Sequence, residues 1–188
     1  ISTTAGGFVG AFQWGPVDEV TLIDSEAVLV ENFQQPDDTT FASFFTAANF
    51  LSYGNNLQVI RAIGDTAMNA AANTIIGSNI SGISTPVMAL IKNEDSYDAQ
   101  YSAGSSTVMW SAKYPGVLGN SLRVSMCDAN TFATWEFTNN FDVTPNTSTY
   151  ANVRGGSRDE LHVCVVDEDG AWTGTKGTIL EKFQLVSK

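Results

Sequence analysis

The chain has 188 residues, of which 43% are hydrophobic and 11% aromatic, enough apolar surface to bury a core in one domain or in two small ones. Its 9 lysines and arginines are scattered along the sequence, and the formal net charge is -11. This balance argues against a nucleic-acid-binding surface, because such a surface needs clustered basic side chains to neutralise phosphates.

The first predicted element is a short glycine-rich strand over residues 3–12, which Gly15 and Pro16 bring to an end. A second extended segment is predicted at Val20–Ile23. Ser25 then offers a helix cap, so a short helical turn is expected to begin there and to end before Pro36.

The clearest predicted helix spans residues 40–53, after oxygen-bearing side chains that can cap its free N–H groups. Its apolar residues recur at helical spacing on one face. They are Phe41, Phe44, Phe45, Ala48 and Leu51. We interpret this face as core packing rather than as a ligand pocket.

A strand is predicted at residues 57–63, so residues 1–64 read as strand, turn, helix and strand in a parallel or mixed sheet covered by a helix. Arg61 is the charged residue of that last strand. Two interpretations stand open for it: local pairing at the end or edge of the strand, or a salt bridge between subunits.

Residues 65–86 are small and polar and indicate a crossover or linker. Strands, turns and loops are then expected in alternation: strands at 87–91, 108–112 and 121–127, a turn-rich stretch at 93–106, and a loop at 114–120. From residue 128 the chain is expected to be nearly all β, with Phe132, Trp135 and Phe137 alternating before a polar loop at 139–157.

The C-terminal part predicts a strand at 161–166, a hairpin turn at 167–170 with its return strand at 171–173, and a last strand at 178–185. The fold class is therefore α+β. We expect two domains, a strand-helix-strand portion over 1–64 and a mainly β outer domain over 65–188.

The residues that catalysis or metal binding would need are scarce. Cys127 and Cys164 belong to no Cys/His cluster and are expected to be buried free thiols on strands. The single histidine, His162, lies in an alternating run and is expected to face solvent or an interface. These counts leave almost no material for a zinc site or a Ser/His/Asp triad.

Three motif candidates fail on their spacing. Residues 174–178 lack the order of a phosphate-binding loop, and residues 167–170 lack the distal ligand of a calcium loop, so a tight hairpin is expected there. A glycosidase needs a pair of carboxylates, and the candidates here are Glu136, Asp142, Asp159 and Glu160. Their spacing singles out no pair, so we interpret all four as solvated surface charges. We therefore predict no enzymatic activity, no metal and no cofactor.

The sequence contains no apolar run of the roughly 20 residues that span a bilayer. Its first residues lack the basic start and long apolar core of a secretory signal. Since the chain also begins without methionine, we expect it to be a piece of a longer protein.

Three segments in order carry a family resemblance and cover about half of the chain: FQWGP followed by the helix and strand FASFFTAANFLSYGNNLQVIRA, then YPGVLGNSLRV, then HVCVVDEDGAWTGTKGTILEKFQLVSK. They resemble the tail sheath proteins of contractile-tailed bacteriophages. At Gln34 this chain departs from the family, where a glycine is commoner two residues before the proline. By the same resemblance, the N-terminal arm and the C-terminal domain lie outside this chain.

The resemblance implies a virion structural protein that forms hexameric rings around a tail tube and contracts during genome ejection into the host. Its implied partners are other copies of itself, the tail tube protein, and baseplate and tail terminator proteins, without nucleic acid or membrane insertion. The implied locations are the phage tail and, during assembly, the host cytoplasm.

We predict that charged residues of such a subunit lie at contacts with its neighbours or on its outer surface. The candidates for subunit contacts are Arg61, Asp37, Asp38, Asp167, Glu168 and Asp169. The alternative function is a carbohydrate-binding or adhesin-type β-domain, for which Trp110, Trp135 and Trp172 would have to form an exposed, coplanar surface.

Overall fold

The computed structural model of the chain describes residues 5–72, 89–100 and 110–187. They combine helices and strands, which confirms the α+β class. The chain forms two compact units, 1–120 and 121–188. The boundary expected after residue 64 falls inside the first unit, and the assignment of 65–188 to an outer domain stays a prediction.

The first unit is built on a mixed three-stranded sheet in the order β1-β3-β2. Its strands are β1 (Gly6–Gly10), β2 (Val20–Ile23) and β3 (Leu57–Arg61). β1 pairs with β3 in parallel and β2 pairs with β3 antiparallel, so of the two predicted alternatives, a parallel or a mixed sheet, the mixed sheet is present. The parallel pair requires a long crossover, and two helices supply it.

These helices are α1 (Glu26–Phe33) and α2 (Phe41–Leu51), close to their predicted positions. The Ser25 hydroxyl accepts the Val28 N–H and so caps α1. The Asp37 carboxylate accepts the backbone N–H groups of Thr39 and Thr40 and shapes the turn that leads into α2.

Both helices cover one face of the sheet, and the core lies between the two layers. Its buried side chains are Phe12, Ile23, Leu29, Phe33, Phe44, Ala47, Leu57 and Val59. The strands present alternate residues to the opposite face. There Val9, Val20 and Leu22 are 64%, 57% and 61% exposed.

The prediction that the whole phenylalanine face of α2 packs in the core is wrong for two residues. Phe44 and Ala47 are buried, whereas Phe41 and Phe45 are 54% and 52% exposed. Successive helical residues are about 100° apart, so Phe41 and Phe45 point roughly 90° or more away from the centre of the buried face. The stripe that the spacing predicted is therefore wider than the face that α2 buries.

The rest of the first unit agrees with its prediction in part, since a strand at Trp110–Ser111 lies within the strand predicted at 108–112. Residues 93–106 were expected to be turns, but α3 (Glu94–Gln100) forms there, because the Asn93 side chain accepts the Ser96 N–H and caps it. β4 (Ala71–Ala72) pairs antiparallel with β5 (Trp110–Ser111). A 3₁₀ turn at Val117–Ser121 replaces the end of the expected loop. The expected linker after residue 72 and the start of the strand at 87–91 lie outside the described residues.

The second unit is built on an antiparallel sheet in the order β6-β7-β8. Its strands are β6 (Leu122–Cys127), β7 (Glu160–Asp167) and β8 (Thr178–Ser187), all three predicted from their alternating patterns. Phe137 and Phe141 pack on Cys164 and Val166 of the central strand, with Trp135 against them.

Residues 128–138 do not form the β segment that was predicted before the polar loop. The Asp128 carboxylate accepts the N–H groups of Asn130 and Thr131 and starts a turn, and 3₁₀ turns follow at Phe132–Thr134 and Thr138–Asn140. A short helix, α4 (Thr149–Val153), lies in the expected polar loop. The aromatic residues therefore reach the sheet from turns and not from a strand.

His162 is fully buried, so the expectation that it faces solvent or an interface is wrong. Its Nδ1 accepts the Leu185 N–H at 3.1 Å, so the proton sits on Nε2, which donates to the Val143 carbonyl at 2.6 Å. The ring stacks on Phe141 at 4.6 Å between centroids. Burial is tolerated because both ring nitrogens have partners.

Cys127 and Cys164 are buried free thiols, as predicted, and burial raises the pKa of each to about 11. Because the thiolate is the reactive form, we expect neither thiol of the folded protein to react with Ellman's reagent at pH 8 on the timescale that labels an exposed cysteine. Labelling with and without denaturant checks this; stoichiometric reaction of the folded protein would contradict it.

Asp159 joins the start of β7 to the end of β8. Its carboxylate accepts the hydroxyl groups of Ser187 and Ser148 at 2.6 and 2.7 Å and the Ser148 N–H at 2.8 Å. The bond from Ser187 and then the two from Ser148 lower the pKa of Asp159 to about 2. The ionised carboxylate thus holds this end of the sheet together.

Because the pKa of Asp159 is lower in the folded than in the unfolded protein, its contribution to stability is complete above about pH 4 and is lost as the pH falls toward 2. We expect Asp159→Asn to lose less stability than the wild type between pH 4 and pH 2. Denaturant unfolding followed by circular dichroism at these pH values measures the difference. Equal losses in both proteins would contradict this role.

Candidate functional site

The Arg61 side chain links three segments of the first unit. It lies at the end of β3 and is only 2% exposed. Its guanidinium donates to four backbone carbonyls: Phe12 at 2.9 Å, Gly15 at 2.9 Å, Gln13 at 3.1 Å and Pro115 at 2.8 Å. One side chain therefore fastens the loop after β1 and the loop that contains Pro115 to the same strand.

The charge of Arg61 is compensated by carbonyl dipoles. Among the described residues no carboxylate lies within ion-pair distance of it. Burial lowers its pKa to about 10, so the guanidinium remains protonated at neutral pH. A planar group with five N–H donors suits this position, because it can satisfy several carbonyls at fixed angles.

Two glycines let the backbone approach Arg61. Gly116 has a φ of 138°, and a Cβ there would lie 3.0 Å from the Arg61 Nη2 atom. Gly15 has a φ of 105°, and a Cβ there would lie 2.6 Å from the Phe33 ring. Both conformations are ones that residues with side chains rarely adopt. Glycine is thus required in the Gly15-Pro16 and Pro115-Gly116 pairs, because a side chain would meet the Phe33 ring at Gly15 and the Arg61 guanidinium at Gly116.

The two loops also meet directly. Trp14 contacts Tyr114 edge-to-face, with 5.4 Å between ring centroids. Pro115 is fully buried. Three segments therefore converge at one place: FQWGP, the end of the strand LQVIR, and YPG. We call this place the arginine junction and define it as residues 12–15, Arg61 and 114–116.

Asn69, like Arg61, ties distant backbone segments together, and the sequence did not predict this role. We call these two side chains clamps. The Asn69 side chain donates to the carbonyls of Ile91 and Ala112 and accepts the Ile91 N–H at 2.7 Å. It is 4% exposed. Asn69 lies among small polar residues that predict a linker, and its partners are distant in sequence, so no local signal marked it.

The comparison with curated proteins identifies the family. The chain is similar to the tail sheath protein of Salmonella phage ViI, with 33% identity over 175 residues, which are 93% of this chain and 24% of that protein. The chain belongs to the tail sheath proteins. It thus spans well under half the length of this relative, and no family model matches it.

Two further tail sheath proteins match shorter parts of the chain. That of Vibrio phage KVP40 is 47% identical over 70 residues, 37% of this chain and 10% of the relative. That of Enterobacteria phage T4 is 43% identical over 86 residues, 45% of this chain and 13% of the relative. These relatives support a structural role in a phage tail sheath, and none is named as an enzyme.

The arginine junction is a structural site. Within the described ranges no group of three or more His, Cys, Asp or Glu side chains could hold a metal ion. No helix of the described residues combines the length and apolar character needed to cross a membrane. What the junction can do is hold the loops of this sheath protein at fixed positions.

The burial of Arg61 favours the local-pairing interpretation over a salt bridge between sheath subunits. Asp37 and Asp38 are exposed beside the start of α2. Glu168 and Asp169 are also exposed, but Glu168 pairs with Arg123 at 2.6 Å and Asp169 lies 3.9 Å from Lys176.

The expectation that Asp167 is exposed is wrong, because it is fully buried. Its carboxylate accepts the Ser121 hydroxyl at 2.6 Å, the N–H groups of Trp172 and Thr173, and the Thr173 hydroxyl. Although loss of solvent opposes it, these bonds lower the pKa of Asp167. They also keep residues 171–173 in a turn, so the predicted return strand there is wrong, and β8 is the strand that pairs with β7.

The tryptophans do not support the carbohydrate-binding alternative. Trp110, Trp135 and Trp172 are each half-buried. Trp135 packs against Phe137 and Phe141 and donates its ring N–H to the Ser125 hydroxyl. A sugar-binding platform would need faces that are free of such packing.

Proposed function

We propose that this protein is a structural subunit of a contractile tail sheath, which polymerises as hexameric rings around a tail tube and contracts during genome delivery. The similarity to a tail sheath protein over 93% of the chain carries the proposal. The partners are further sheath subunits, the tube protein, and baseplate and terminator proteins, in the virion and earlier in the host cytoplasm.

The open face of the first sheet supports such a role. Val9, Val20 and Leu22 are all more than half exposed there. In the register of the sheet, Val9 and Val20 flank Ile60, so the apolar residues form one patch. Contiguous apolar patches on soluble proteins mark surfaces that another protein element covers, which suits a subunit designed for assembly.

The two clamps support the mechanical side of the proposal. Contraction of a lattice requires subunits that move as rigid bodies while the interfaces between them change from one arrangement to another. Arg61 and Asn69 tie irregular loops to the sheet with hydrogen bonds that are shielded from water. A subunit built in this way can transmit displacement without deforming its loops.

Immunogold labelling of phage particles tests the proposal. Antibodies raised against this chain should label the tail along its whole length, and in contracted particles the labelled region should be shorter and wider. Labelling confined to fibre tips, with none along the tail, would contradict the sheath role and favour an adhesin.

A further inference from the structure

Residues 146–160 form an exposed loop with a closed base, which we call the knob. At its base the Asn146 N–H donates to the Glu160 carboxylate, and the Glu160 N–H donates to the Asn146 carbonyl, both at 3.0 Å. Ser148 is held by Asp159, and the Arg158 N–H donates to the Thr147 hydroxyl at 2.8 Å. Every residue of 149–158 except Ala151 is exposed. The knob is therefore a surface feature on a fixed base.

The tip of the knob presents an aromatic, an aliphatic and a cationic side chain together. Tyr150 and Val153 are 67% and 77% exposed. The Arg154 guanidinium lies 3.7 Å from the centroid of the Tyr150 ring and also donates to the Tyr150 carbonyl. The Ser148 hydroxyl caps the helix by accepting the Ala151 N–H.

Such a tip has the composition of a protein-binding surface. Tyrosine and arginine are enriched among the residues that contribute most to protein interfaces. Side chains that are already ordered lose less entropy on binding. Arg154 has no carboxylate within ion-pair distance among the described residues, whereas Lys92, Arg123 and Lys176 have one. Its charge is thus available for a partner.

A surface of complementary chemistry lies on the same chain. Phe41 and Phe45 of α2 are more than half exposed, and Asp37 and Asp38, which precede the helix in sequence, are exposed too. These phenylalanines lie outside the buried core, and Asp37 rather than Asp38 holds the turn that precedes α2. We call Asp37, Asp38, Phe41 and Phe45 the α2 face.

We propose that the knob of one sheath subunit docks on the α2 face of a neighbouring copy, with Tyr150 and Val153 against the phenylalanines and Arg154 facing Asp38. The inference rests on the proposed function, because it requires a neighbour. Two different surfaces meet in this contact, so it repeats from copy to copy, as polymers require. With 20 acidic and 9 basic residues, the chain has few cations for such pairing, and Arg154 is one of them.

Charge reversal in the full-length protein tests the ionic part of the contact. Arg154→Asp and Asp38→Arg should each reduce the association constant for tube formation by about tenfold, measured by sedimentation and electron microscopy. The double variant should recover to within about threefold of the wild type, because the pair is restored in reverse. Lys113→Asp, an equal change in charge at an exposed residue outside both surfaces, should have little effect. If the double variant loses as much association free energy as the two single variants together, the inference is overturned.

Crosslinking tests the apolar part without relying on assembly strength. A variant carrying Val153→Cys and Phe41→Cys, treated with a short bismaleimide, should give a ladder of linked chains in tubes, and each single variant should give none. Cys127 and Cys164, the two cysteines of this chain, are buried and are not expected to react. Tubes without a ladder, or a link within one chain, would overturn this inference alone. Absence of tubes from the wild type would overturn the proposed function and the inference with it.

Discussion

Replacing Arg61 with leucine is expected to lower the free energy of unfolding by about 4 kcal/mol, because each buried acceptor left without a donor costs about 1–3 kcal/mol. The carbonyls of Phe12, Gly15 and Pro115 would all lose their donor. Arg61→Lys should lose roughly half as much, since lysine keeps the charge but lacks the planar fork. Denaturant unfolding gives the magnitude, and hydrogen exchange in β1 and β3 gives the location.

The matched control is Arg154→Leu, which removes an exposed arginine. It should change stability by less than about 1 kcal/mol, because exposed charged groups contribute little. A loss of less than about 1 kcal/mol for Arg61→Leu, equal to that of the control, would mean that the junction does not hold the loops.

Replacing Asp167 with alanine is expected to cost about 3 kcal/mol, because hydrogen bonds to a charged group contribute about 1.5–3 kcal/mol and the buried Ser121 hydroxyl would be left without its acceptor. The Ser121 hydroxyl and the N–H groups of Trp172 and Thr173 would lose their acceptor. Urea unfolding followed by tryptophan fluorescence measures the loss.

Asp169→Ala is the control for Asp167, because it removes a neighbouring exposed carboxylate that lies 3.9 Å from Lys176. It should cost less than about 0.5 kcal/mol. If the two variants have equal stability, Asp167 does not organise the turn between β7 and β8. A larger loss for Asp167→Ala accompanied by faster amide exchange at 171–173 would support the assigned role.

The strands and helix starts were predictable because their signals are local. Alternation marked β6, β7 and β8, an extended segment was predicted at β2, and Ser25 marked the start of α1. The strand-helix-strand order predicted a parallel or mixed sheet, and the parallel pair of β1 and β3 agrees with it. Local sequence therefore specified most of both sheets.

The predictions that were wrong concern features that depend on tertiary contacts. His162 can be buried because Val143 and Leu185 satisfy its ring, and these residues lie far from it in sequence. Asp128 turns the chain away from the β conformation that the aromatic spacing predicts. The width of the buried face of α2 is set by the sheet beneath it, so the spacing alone could not separate Phe44 from Phe45.

The candidate site was predictable only in part. The resemblance marked FQWGP, YPG and the strand of Arg61 as segments in a fixed order, and local pairing of Arg61 stood among the alternatives. The convergence of the three segments on one guanidinium could not be read from the sequence, because its acceptors are backbone carbonyls that any residue type supplies. Asn69 was missed for the same reason.

The central claim, that this protein is a subunit of a contractile tail sheath, is tested most directly by cryo-electron microscopy of the purified full-length protein. We expect tubular polymers built from stacked six-fold rings, in which density for residues 5–72 shows the β1-β3-β2 sheet with Arg61 enclosed between its loops. Monomers or closed oligomers that never form tubes, even together with the tube protein, would contradict it.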